Sequence, residues 1–130
     1  MQFTGTGTLT VKAIIADGAL PLKNVLINVT GADEENRFTE YSLFTDEDGL
    51  TQTVTLPTPA IQYSLSPSPT EIPYASYDIT ARAEGYYPIS IVGASVFANT
   101  HSLQVVNMIP IVENSKAPND GLNFDTSNNL

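Results

Sequence analysis

Apolar and polar residues alternate along much of the chain. Leu9, Val11 and Ala13 fall on one face and Thr8, Thr10 and Lys12 on the other, the two-residue period of a half-buried β-strand over 8–15. Val25 to Thr30 is a second, β-branched run, separated from the first by the turn residues Asp17, Gly18 and Pro21. Tyr41 to Thr45 and Thr51 to Leu56 flank Asp46-Glu47-Asp48-Gly49, an acidic turn ending in glycine that predicts a hairpin. Tyr77, Ile79, Ala81 and Ala83 alternate against Asp78, Thr80 and Arg82, and Glu84-Gly85-Tyr86 turns the chain toward strands over 87–93 and 103–111. No stretch carries a helical period. About seven short strands at this spacing predict an all-β chain folded as a Greek-key β-sandwich.

Two segments break the pattern. Residues 57–73 hold Pro57, Pro59, Pro67, Pro69 and Pro73, which interrupt ladder hydrogen bonding and predict a long extended loop pinned by Tyr63 and Ile72. Such a loop exceeds the roughly 12–15 residues that compact domains carry without a purpose, which makes it a candidate contact edge. From Glu113 onward Asn, Asp and Ser dominate, with too little apolar area to offset ordering entropy. The expected division is a lead-in over 1–5, a sandwich over 6–112 and a flexible polar tail over 113–130.

Composition narrows the partners. At 130 residues and 42% hydrophobic content, the chain can bury about two thirds of its unfolded surface, so a core without crosslinks is feasible. Five basic residues against fourteen acidic ones give a net charge of −9, which repels phosphate backbones and anionic lipid; no nucleic-acid partner and no membrane insertion are expected. Nothing approaches the roughly 18 apolar residues of a membrane span, and Met1 to Gly5 lacks the basic start and apolar stretch of an export signal. The absence of Cys removes disulfides, thiolate catalysis and cysteine-ligated zinc, and fits more than one compartment.

Several stretches together resemble a known family. They are Gly7-Thr8-Leu9-Thr10-Val11, Leu20-Pro21-Leu22-Lys23-Asn24-Val25, Thr45-Asp46-Glu47-Asp48-Gly49 and Tyr77 to Tyr86 with its Glu84-Gly85-Tyr86 ending. The chain is similar to carboxypeptidase regulatory-like domains, the transthyretin-like or prealbumin-like β-sandwiches. Pro73-Tyr74-Ala75-Ser76-Tyr77-Asp78 and Asn107-Met108-Ile109-Pro110 resemble, more narrowly, the N-terminal β-domain of clostridial spore cortex-lytic enzymes. The resemblance covers about residues 6–111 and implies an accessory part without the catalytic domain. It implies a bacterial cell-wall or spore setting, and a partner that is protein or wall glycan such as peptidoglycan.

Candidate chemistry is sparse. Tyr63 and Tyr74, with Pro67 and Pro69 in the same loop, offer flat amphipathic contacts and form the expected binding site. Asp46 and Asp48 before Gly49 suggest a weak calcium site but lack the other ligands of a twelve-residue calcium loop. His101 could centre a small hydrolase with Ser95 or Ser102, but no nucleophile elbow or oxyanion loop accompanies it, so no enzyme and no cofactor are expected. Lys12 on the first strand and Asn107 on the last could form an internal isopeptide bond, for which the catalytic acid is missing where Ala81 stands. A third reading is a structural or adhesion subunit that self-associates through an exposed sheet edge.

Overall fold

A computed structural model describes residues 3–15, 19–60 and 73–112. Seven strands occupy them: β1 (Gly5–Ile15), β2 (Leu26–Gly31), β3 (Glu40–Phe44), β4 (Val54–Thr58), β5 (Ala75–Arg82), β6 (Ile89–Val96) and β7 (His101–Met108). They form two sheets, one ordered β4-β1-β7 and the other β3-β2-β5-β6. All pairs are antiparallel except β1 with β7, which run parallel from Thr8 against His101 to Ile15 against Met108.

The core follows from the alternation. Leu9, Val11 and Ala13 of β1 meet Ile27 and Val29 of β2 and Tyr77, Ile79 and Ala81 of β5, all of them buried, with Leu56, Val106 and Met108 closing the layer. Truncating a buried side chain of this size to alanine costs about 2–5 kcal/mol.

Two expectations are corrected. The arms around Asp46–Gly49 do not pair as a hairpin, because β3 joins β2 while β4 joins β1. Threonines hold the two ends of the turn in different sheets. The Thr45 hydroxyl accepts from Val25 N at 2.9 Å and donates to Leu22 O at 2.7 Å, whereas the Thr51 hydroxyl accepts from Val11 N at 3.0 Å. Gly49 sits at φ +76°, so the turn itself has the backbone its sequence calls for. The second correction concerns Pro57, which lies within β4 rather than in the loop. β4 is an edge strand, where a proline on the unpaired side removes no ladder bond.

Two tyrosines clasp the sheets together along that edge. Tyr77 of β5 donates its phenol to Pro57 O at 2.6 Å, and Tyr41 of β3 donates to Thr55 O at 3.1 Å. Burial pushes the Tyr77 phenol from its ordinary value near 10 up to about 12; the Asp33 carboxylate adds to the rise, and hydrogen bonding from Asn36 and Thr39 opposes it. Burial thus favours the neutral phenol in the folded state. Its contribution to stability should be complete below the ordinary tyrosine value and be lost as pH climbs from 10 toward about 12. Urea unfolding of Tyr77→Phe should show a loss of about 1–3 kcal/mol at neutral pH, from the stranded Pro57 carbonyl, and a weaker decline above about pH 10 than the parent shows.

Candidate functional site

Of the four residues expected to bind, the structure describes Tyr74; Tyr63, Pro67 and Pro69 lie outside the described residues. Tyr74 is half-buried just before β5, and its ring packs against Phe97, just after β6, with centroids 5.5 Å apart and planes tilted by 54°. Part of the Tyr74 ring is therefore committed to a neighbouring side chain. Pro73, the last proline of the proline-rich run, immediately precedes Tyr74.

The acidic turn that offered Asp46 and Asp48 as a weak calcium candidate is held by its own side chain. Asp46 Oδ1 accepts from Asp48 N at 2.9 Å and from Leu50 N at 3.0 Å, which closes the turn on its first carboxylate. Among the described residues no three His, Cys, Asp or Glu side chains converge on a point.

His101 opens β7 on the outer face of the three-stranded sheet. Its Nδ1 lies 2.9 Å from the Thr8 hydroxyl and its Nε2 3.5 Å from the Thr10 hydroxyl, which also meets Thr53 at 2.7 Å. The ring is thus held in a threonine cluster, with no serine or carboxylate in hydrogen-bonding contact among the described residues. Lys12 and Asn107 share this outer face, where Lys12 lies opposite Val105 and Asn107 opposite Ile14. Both point away from the core, unlike a crosslink formed in a buried, acid-assisted setting.

The feature that motif reading missed is a flank. Gly85 to Val112 contains no Asp, Glu, Lys or Arg, and this stretch folds into β6 and β7, the edge strands of the two sheets on the same side of the sandwich. Seven of the ten exposed large apolar side chains among the described residues belong to it, among them Val92 at 81% exposure, Leu103 at 54% and Val105 at 39%. The two edges meet at one end, where Tyr87 N donates to Ile109 O and Ile111 N to Gly85 O, each at 2.9 Å. The signal in the sequence was the spacing of charges rather than any motif.

A scan of protein families finds no match to the sequence, and a search of curated proteins finds none either. Solved structures do share the fold. A 3-chlorocatechol 1,2-dioxygenase of Rhodococcus opacus is similar at TM-score 0.59 and 13% identity, over 85% of this chain and 62% of its own. A minor pilin of Streptococcus agalactiae is similar at TM-score 0.55 and 13% identity, over 89% and 49% respectively. A proposed carbohydrate-binding protein of Bacteroides uniformis reaches TM-score 0.52 at 11% identity, over 79% and 41%. The chain thus spans between 41% and 62% of these proteins' lengths, and at such identities the likeness is one of fold, a β-sandwich compatible with the prealbumin-like type.

Replacing Asp46 with alanine should strip the turn of its acceptor and lower stability by about 1 kcal/mol. Thermal unfolding of the parent should show no rise in midpoint on adding calcium at millimolar concentration. A calcium-dependent rise that the substitution abolishes would establish a cation site there.

Proposed function

We propose that the chain is a non-catalytic accessory or adhesion module of a bacterial cell-wall or spore-associated protein, and that it makes contact through the β6 and β7 flank. The observation that carries this reading is the charge-free run from Gly85 to Val112, which supplies the adjoining edge strands β6 and β7 and holds seven of the ten exposed large apolar side chains among the described residues of a chain of net charge −9. Exposed apolar side chains concentrated along strand edges from which charge is excluded are a mark of contact surfaces. Fold neighbours that include a pilin and a proposed carbohydrate-binding protein support the binding role, and the likeness of Tyr74 to Asp78 and Asn107 to Pro110 to spore-enzyme domains supports the setting. The threonine partners of His101 and the turn role of Asp46 support a module without catalysis.

The flank's aliphatic side chains favour a protein partner. A glycan partner is favoured by one observation of its own, the Tyr74 and Phe97 pair beside the proline-rich segment, since sugars stack on ring faces. Retention on insoluble vegetative and spore-cortex peptidoglycan, prepared with its attached proteins and after protease stripping, separates the two. Binding that needs the attached proteins and is lost in Val92→Lys/Val105→Lys is the expected result. Binding to stripped glycan that is lost in Tyr63→Ala/Tyr74→Ala would establish the glycan reading instead, and no retention on either preparation would overturn the wall setting.

A further inference from the structure

The four sheet edges are not equally guarded. On β4, Pro57 has no N–H to offer, and the Tyr77 and Tyr41 phenols occupy the outward carbonyls of Pro57 and Thr55. β6 is bent by a bulge, with Gly93 at φ +76° and its N–H tied to Asp78 Oδ1 at 3.0 Å. β3 has five residues and begins at Glu40. β7 has eight residues and carries neither proline nor a formal charge. Short length, bulges, prolines and charges are the devices that keep edges from pairing, and β7 has none of them.

The direction of its free groups is fixed by its pairing. Thr8 N donates to Thr100 O at 3.0 Å, so even-numbered residues of β7 turn their backbone groups toward β1 and odd-numbered ones turn theirs outward. Ile109 O, which accepts from Tyr87 N, confirms that parity. His101, Leu103, Val105 and Asn107 therefore present N–H and C=O groups to the open side. Among the described residues the contact these groups receive is a 3.1 Å bond from the Gln104 amide to Val105 O.

We propose that this edge pairs with the same edge of a second copy of the chain, antiparallel about a two-fold axis through Gln104. In that register Leu103 lies opposite the second copy's Val105 and His101 opposite its Asn107, so apolar meets apolar and polar meets polar, and every outward backbone group finds a partner. The pairing stops short of Ile109, whose edge Tyr87 already fills. Charge selects the occupant. Two molecules of net charge −9 approach most readily where neither presents acid; Gly85 to Val112 carries no charged side chain, and Gly49 to Thr70, which also carries none, holds β4, whose edge Pro57 and the two phenols guard. The result is a sheet continuous through both molecules, ordered β4-β1-β7-β7-β1-β4.

The inference rests on the flank being a contact surface but is tested on the purified chain alone, apart from retention on any wall preparation. Sedimentation equilibrium up to about 1 mM should show a reversible dimer. Val105→Lys should weaken association by about tenfold or more, while Phe44→Lys, on the far edge strand, should leave it unchanged. Because the chain has no Cys, a mixture of Leu103→Cys and Val105→Cys variants, oxidised gently, should yield mainly the mixed disulfide; this holds the register to account even if the lysine variant fails to fold. A monomer at every concentration, a dimer indifferent to Val105→Lys in a folded protein, or disulfides without preference for the mixed pair would each overturn the proposal.

Discussion

The architecture depends on the parallel pairing of β1 with β7. Eight residue pairs join the first strand to the last in the same direction, so the chain must leave β1, build the four-stranded sheet and return before the three-stranded sheet is complete. Parallel neighbours cannot be linked by a tight turn. The long circuit through β2 to β6 satisfies this condition, and it places β1 in the centre of its sheet, where Leu9, Val11 and Ala13 are sealed from water.

That arrangement decides which surfaces are finished and which are open. The side where β3 and β4 lie is tied by the Tyr41 and Tyr77 phenols and carries acids in the neighbouring turns, from Asp33 to Asp48. Among the described residues, the opposite side, where β6 and β7 lie, is joined across the two edges by main-chain bonds around Tyr86 and Pro110. Beyond that point β6 and β7 themselves carry no formal charge and hold exposed aliphatic side chains. The unguarded strand thus lies on the side away from the tyrosine clasps and the acidic turns.

Much of the fold was legible because a period of two needs no tertiary information: the inward faces of β1 and β5 are the ones that alternation names. Pairing was not legible. The Asp46 to Gly49 turn has the chemistry of a hairpin, and only the anchoring of Thr45 and Thr51 in different sheets shows that the chain crosses there. Pro57 read as a loop residue because its position on an edge is a property of the assembled sheet. For the site, Tyr74 could be named from the sequence, but its partner Phe97 lies beyond an intervening hairpin. The charge-free run was visible in the sequence, yet that it supplies an edge strand to each sheet showed only once β6 and β7 were placed.

The central claim, that the β7 edge is the open contact surface, is tested most directly by amide hydrogen exchange resolved to single residues over a dilution series. The account predicts that the Leu103, Val105 and Asn107 amides gain protection as concentration rises while the Thr55 amide on the β4 edge does not change. Rapid exchange at those β7 amides at every concentration, or an equal gain at β4, would contradict it.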